Sequence, residues 1–211
     1  MKEQYTTIAK EAKAEIIEKR SRFIATARPV ATEEEALTFL NQLRQEYWDA
    51  THNVYAYIIE ENQLARYSDD GEPGGTAGMP VLDILRKEGL SNLIVVVTRY
   101  FGGTLLGTGG LVHAYSKSAK AGLEAAGLLD MILCRELSLT CEYTLWGTLQ
   151  NYLSKREQIL QGEAQYTEKV CLPLYLPVAM ADSFCKDVVN HLNGQIEIAQ
   201  GDTRYCSRPR V

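Results

Sequence analysis

Two glycine-dense stretches, SDDGEPGGTAG at Ser68–Gly78 and TRYFGGTLLGTGG at Thr98–Gly110, flank an unbroken apolar run, Leu93-Ile94-Val95-Val96-Val97. A run without polar alternation reads as a strand buried on both faces. Each glycine stretch reads as an irregular loop that feeds an amphipathic helix. Glycine admits left-handed backbone and lets another group approach the main chain closely. Concentrating it in two loops raises the entropy lost on folding, so a packing or binding reason is expected there.

The 211 residues suffice for one large domain or two small ones. An apolar content of 45% with 23% charged residues is that of an ordinary globular chain with a sizeable core. The formal net charge of -5 excludes bulk electrostatic attraction to nucleic acid or anionic membrane. Two local basic patches, Lys19-Arg20-Ser21-Arg22 and the group Arg204, Arg208 and Arg210, read as solvated flanks. Five cysteines (Cys134, Cys141, Cys171, Cys185 and Cys206) form no C-x-x-C pair. Reduced, mostly buried thiols are therefore expected. The opening MKEQYTTIAKEAK carries charges where a signal peptide needs an apolar core. No stretch has the length of a membrane span, so a soluble, cytoplasmic protein is expected.

Along the chain, strands are predicted at Ala14–Glu18 and Arg22–Val30. A helix then follows Thr32, which with Glu35 forms a capping box. Ala36, Leu37, Leu40, Leu43 and Tyr47 supply its apolar face. Asn53–Ile59 reads as a strand, turning through Glu60-Glu61-Asn62 into Leu64–Ser68. Pro80–Glu88 and Leu111–Ala126 read as helices, each followed by a glycine. The pattern resets near Asp130–Arg135, which predicts a first domain over 1–133 and a second over 134–211. Within the second, strand Glu136–Thr144, helix Trp146–Arg156, strands Ile159–Tyr166 and Lys169–Leu176, helix Val178–Leu192 and strand Gln195–Ala199 give the βαββαβ order of a ferredoxin-like fold. Pro173 and Pro177 suit an edge strand and a helix start.

The glycine loops fail the nucleotide-binding patterns. The dinucleotide fingerprint meets Val112 where its third glycine belongs, and Gly102 and Gly107 fit the Walker spacing but Thr108 stands where lysine is required. The loop still offers backbone N–H groups at a helix start to an anion. Asp69, Asp70 and Glu72 could ligate Mg²⁺ or Ca²⁺, but turn chemistry or a role at a helix end is the favoured reading. Arg99, just past the apolar run, is expected to pair with one of these carboxylates and join the loops into one structure. Tyr100 and Phe101 read equally as core beneath the loop or as stacking surface. No catalytic motif is present, and His52, His113 and His191 read as structural or surface residues, with His52 and His113 conceivable as bases.

SRF at Ser21–Phe23, DATHNVYAY at Asp49–Tyr57, SDDGEPGGTAGMPVL at Ser68–Leu82 and VVVTRYFGGTLLGTGGLVHAYS at Val95–Ser116 resemble the motifs of the YigZ/IMPACT family. CEYT at Cys141–Thr144 resembles the C-terminal domain of its bacterial two-domain branch. Gly74 departs from the usual Ser or Ala, and His113 from the usual Lys or Arg. The resemblance implies an α+β chain: a ribosomal-protein-like N-terminal domain with a left-handed βαβ crossover, and a ferredoxin-like domain similar to the last domain of elongation factor G. It also implies that eukaryotic relatives regulate translation by competing for a ribosome-associated activator of an initiation-factor kinase.

The expectation is accordingly a non-enzymatic binding or regulatory protein whose partner is the ribosome, RNA or a translation-related protein. No cofactor, no metal, no membrane partner and no DNA sequence readout are expected. The expected binding surface comprises Asp69, Asp70, Gly71, Glu72, Thr76 and Gly78 from the first loop. The second loop adds Arg99, Tyr100, Phe101, Gly102, Gly103, Gly107, Thr108, Gly109, Gly110 and His113. Arg99, Tyr100 and Phe101 are to supply charge and stacking area. The alternative is an enzyme acting on a phosphorylated small molecule or nucleotide, with the anion at the GTGG helix start and Mg²⁺ on Asp69 or Asp70.

Overall fold

A computed structural model describes residues 2–60 and 63–210; Glu61 and Asn62 of the predicted turn lie outside the described residues. The elements run β1 (Gln4–Ile8), β2 (Ala12–Glu18), β3 (Ser21–Pro29), α1 (Glu33–Glu46), β4 (His52–Ile59), β5 (Leu64–Ser68), α2 (Gly78–Lys87), β6 (Leu93–Tyr100), α3 (Gly107–Ala126) and β7 (Leu128–Cys141). They continue with α4 (Tyr143–Ser154), β8 (Leu160–Gln161), β9 (Gln165–Tyr166), β10 (Val170–Pro177), α5 (Val178–His191) and β11 (Glu197–Pro209). The chain is thus α+β, with two antiparallel sheets and five helices. It divides into two compact units, Tyr5–Asp130 with the segment from Pro209, and Met131–Arg208 with Lys2–Gln4.

The first unit is built on a sheet of order β2-β3-β6-β4-β5 in which neighbouring strands are antiparallel. β3 and β4 both run against β6, so they are parallel to one another and α1 makes the βαβ crossover between them. The central β6 explains its own composition. Val95 and Val97 pack with Val81, Leu85 and Tyr115 on one face, while Ile94 and Val96 pack with Phe39, Leu40 and Leu43 of α1 on the other. An antiparallel strand covered on both faces loses the polar alternation that a half-exposed one keeps.

α1 starts where the capping box put it. The Glu35 amide donates to Thr32 Oγ1 (3.2 Å) and Glu35 Oε2 accepts from the Ala31 amide (2.7 Å). Phe39, rather than Leu37, completes its buried face; Leu37 is exposed. α3 begins four residues earlier than expected, because Gly107 to Gly110 are themselves helical. β1 was not anticipated: it is short and polar, and it is anchored by the Ser91 amide donating to the Thr6 carbonyl (2.9 Å) and by buried Ile8.

In the second unit β7 pairs with β10 antiparallel and also with β11, while β8 and β9 both pair with β10. This is the ferredoxin-like strand order, with the second of the four strands broken into β8 and β9. Leu137, Leu139, Leu172, Leu174 and Leu176 face Leu149, Leu153, Phe184 and Val188 of the helices. The five cysteines are free thiols. No described helix is long and apolar enough to cross a membrane.

Thr32→Ala removes the side-chain acceptor of the α1 cap and is expected to lower stability by about 1 kcal/mol in urea denaturation. Thr32→Asp is expected to restore it, and equal stability of all three chains would show the cap to be dispensable.

Candidate functional site

The ends of β3, β4 and β6, the first glycine loop and the start of α3 converge on a buried polar cluster. Glu72 is at its centre. Arg99 Nη1 donates to Glu72 Oε1 at 2.5 Å, and the Tyr115 hydroxyl of α3 donates to the same oxygen at 2.7 Å. His52 Nε2 lies 3.8 Å from Glu72 Oε1, while His52 Nδ1 donates to the Asp70 carbonyl at 2.7 Å. Arg99 is 5% exposed, and its guanidinium sits between the rings of Phe23 (5.3 Å) and Phe101 (5.6 Å). The expected pairing of Arg99 with a loop carboxylate is therefore present, and the carboxylate is that of Glu72. Burying both charges removes them from water at a large desolvation penalty, which only this close geometry offsets.

Asp69 and Asp70 do a different job. Asp69 Oδ1 accepts from the Ala77 and Gly78 amides (3.0 and 2.8 Å), and Oδ2 accepts from the Gly75 amide (2.8 Å). Its carboxylate thus sits at the amino end of α2, where the aligned dipoles favour an anion. Asp70 Oδ2 accepts from the Asn53 amide (2.6 Å) and Oδ1 pairs with Arg44 (3.3 Å). These bonds hold Asp70 in left-handed backbone, φ 46°. Backbone amides thus take up both carboxylates, the turn and helix-end role expected of them. Among the described residues no group of three or more His, Cys, Asp or Glu is arranged to hold a metal ion.

The other expected residues divide between structure and surface. The Thr76 hydroxyl donates to the Pro73 carbonyl (2.6 Å) and is buried. Gly71 lies against the His52 ring, and Gly78 opens α2. The Tyr100 hydroxyl donates to Asp49 (2.8 Å), which leaves the ring half-buried rather than in the core. The Phe101 amide donates to Thr51 Oγ1 (3.1 Å), and the Phe101 side chain is 46% exposed. Gly103 is exposed, and Gly107, Thr108, Gly109 and Gly110 form the first turn of α3. His113 is exposed and does not line the cleft described below. Arg99 supplies no surface charge, contrary to expectation, because its charge is taken up by Glu72.

In the Lys19-Arg20-Ser21-Arg22 patch the three cationic side chains are exposed, as expected of a solvated flank, and Ser21 alone is buried. Lys19 and Arg20 are the two tip residues of the β2–β3 hairpin, which closes at the Glu18–Ser21 pair. Ser21 is fully buried and its hydroxyl accepts from the Gly102 amide (3.2 Å). A Cβ on Gly102 would lie 2.1 Å from the Arg20 carbonyl, so only glycine lets the second loop pack against this tip. Arg22 pairs with Glu15 (2.8 Å) and lies over the Tyr100 ring. Tyr115, Ser21 and Thr51 also belong to the site and were missed. Their partners stand 43, 78 and 50 residues away, a relation no local pattern displays.

Between the loops lies a cleft of about 450 Å³, lined by Thr51, His52, Glu72, Pro73, Arg99, Phe101, Leu105, Leu106, Gly107, Thr108 and Leu111. The start of α3 that borders it has no side-chain cap and no acidic residue in its first turn.

The profile described as the Impact N-terminal domain matches residues 19–123, the segment that builds this cleft. A second, described as a domain of unknown function (DUF1949), matches residues 139–195. The chain belongs to the IMPACT family. The IMPACT family member YvyE of Bacillus subtilis is 38% identical over 209 residues, spanning 99% of this chain and 96% of its own. The human Protein IMPACT is 36% identical over 104 residues, which are 46% of this chain and 32% of the human one. A solved crystal structure of a hypothetical protein is similar with a TM-score of 0.60 at 30% identity, covering 96% of this chain and 99% of that one.

Burial raises the Tyr115 hydroxyl far above the usual tyrosine range, and its hydrogen bond to Glu72 and that carboxylate's charge add to the rise. Burial and Glu33 raise Tyr57 likewise. Groups kept protonated in the fold but ionising near pH 10 when unfolded contribute stability that is complete below pH 10 and lost above it. Stability is expected to fall above pH 10 by up to about 1.4 kcal/mol per pH unit for each such tyrosine. Tyr115→Phe is expected to flatten that slope while losing about 1–3 kcal/mol at neutral pH. Urea titrations of both chains at pH 7 to 11 check this, and an unchanged slope would assign the titration elsewhere.

Proposed function

We propose that this IMPACT-family chain is a cytoplasmic, non-enzymatic binding protein of translation whose partner is RNA. The translational part of the reading rests on the family resemblance. The RNA part rests on one observation: two cationic residues, Lys19 and Arg20, both hold left-handed backbone (φ 43° and 70°) at the hairpin tip packed on the second glycine loop. Tight two-residue hairpins with positive φ at both positions favour Asn-Gly, and other residues there cost roughly 1 kcal/mol or more each. Retaining lysine and arginine in place of the favoured pair points to a use for their charge. Both side chains are exposed, and the uncapped start of α3 belongs to the same glycine loop. Local charge of this kind binds phosphates even on a chain of net charge -5, and its strength falls with salt.

Lys19→Asn with Arg20→Gly separates the two roles. The double variant is expected to be more stable than the parent by about 1 kcal/mol, since the turn strain is relieved. Its affinity for RNA is expected to fall, with the slope of log affinity against log salt shallower by about 1 to 2. RNA affinity that is absent in the parent chain, or that is independent of salt, would overturn the reading.

A further inference from the structure

We propose that the cleft takes one unstacked nucleotide of a single-stranded RNA, its base lying on the outer face of Phe101 and its phosphate meeting the amino end of α3. The inference rests on RNA being the partner of this face, and it adds what the cleft itself recognises.

Phe101 is the decisive residue. Its ring is 46% exposed on the cleft wall, and its backbone is anchored on both sides. Its amide is bonded to Thr51 Oγ1, its inner face lies 5.6 Å from the Arg99 guanidinium, and Gly102 is locked against the Arg20 carbonyl. A flat ring held on one side by a buried cation and open on the other is the platform on which a base stacks, whatever its sequence. Leu105, 83% exposed, stands beside it on the cleft wall, and Leu106 and Leu111 continue the apolar lining. The volume of about 450 Å³ falls within the roughly 300–1,000 Å³ of small-molecule sites, which suits one nucleotide and excludes a duplex.

The charge on the cleft wall is internally neutralised, which leaves the amides at the start of α3 as its anion-binding groups. Glu72 is the one carboxylate among the lining residues, and Arg99 and Tyr115 both bind the same oxygen. Gly107 and Thr108 bring the uncapped first turn of α3 to the cleft. Arg99 lines the cleft as a residue, while its Nε is buried with no hydrogen-bond partner among the described residues. His52 Nδ1 is committed to the Asp70 carbonyl, and its Nε2 lies 3.8 Å from Glu72 Oε1, so this cleft-lining ring is held in place from both sides. A base can enter a concavity only when it is unpaired and turned out of its stack, whereas a duplex offers this face only phosphates.

The test is fluorescence anisotropy with a labelled RNA of about 12 nucleotides, single-stranded or annealed to its complement, on the full chain and on Phe101→Ala and Phe101→Tyr. The single strand is expected to bind about tenfold or more tightly than the duplex. Phe101→Ala is expected to remove that preference while leaving duplex binding unchanged, and Phe101→Tyr to keep it. Thermal unfolding of each variant verifies that Phe101→Ala remains folded. Equal affinity for strand and duplex, or a preference that survives Phe101→Ala, would overturn the nucleotide site while leaving RNA binding through phosphates intact. Binding of neither RNA would overturn the RNA reading itself.

Discussion

The Glu72–Arg99 ion pair is the interaction on which the first unit's functional end depends. Its partners come from an irregular loop and from the end of the central strand, and the Tyr115 hydroxyl ties α3 to the same carboxylate oxygen. Arg99 Nη2 reaches Ser21 of β3 at 3.4 Å, and the Arg99 carbonyl accepts from the Thr51 amide ahead of β4 at 2.9 Å. One buried charge pair therefore ties together two glycine loops, two strand ends and the third turn of α3. Such a pair adds little net stability over a well-packed apolar substitute, yet removing one partner strands the other charge away from water. Its value here is geometrical, since the loops have few apolar side chains with which to define their own conformation.

That geometry leaves charge unevenly distributed. α2 has its amino end satisfied from within, by the carboxylate of Asp69 on three amides of its own loop and first turn. α1 is capped by Thr32 Oγ1 on the Glu35 amide and by Glu35 Oε2 on the Ala31 amide. α3, which borders the cleft, has neither a capping side chain nor an acidic first turn. Left-handed backbone at non-glycine residues occurs at this end at Lys19, Arg20 and Asp70, and elsewhere in the unit at Gln63 and Asn92.

Much of this fold was legible in the sequence because its strongest signals are local. The apolar run of β6, the Thr32–Glu35 capping box and the βαββαβ order of the second unit all declare themselves within a few residues. β1 was hidden, since five mostly polar residues carry no pattern and are held by Thr6–Ser91 pairing far along the chain. The start of α3 was misjudged because three glycines among the four residues Gly107 to Gly110 favour a loop, and only tertiary contact overrides that preference. In the site, opposite charges in the two loops announced an ion pair, but not which carboxylate formed it. Asp69 and Asp70 are short enough to bond nearby amides, and the longer Glu72 remains to reach Arg99. The roles of Ser21, Thr51 and Tyr115 depend on contacts across 43 to 78 residues and have no local signature.

The buried pair also governs what the cleft can hold. Were Glu72 unpaired, its charge would repel any phosphate approaching the α3 amides a short distance away. Were Arg99 unpaired, its charge would attract every small anion and leave no role for the apolar wall. Joined at 2.5 Å and covered by Phe23 and Phe101, the two cancel at a distance, and what remains is directional: amides at one side, an exposed ring at the other. On the proposed reading this arrangement suits a nucleotide, which carries an anionic group and a flat group on one molecule. The carboxylate that makes the loops one structure would then also keep a bare charge out of the path of that anion.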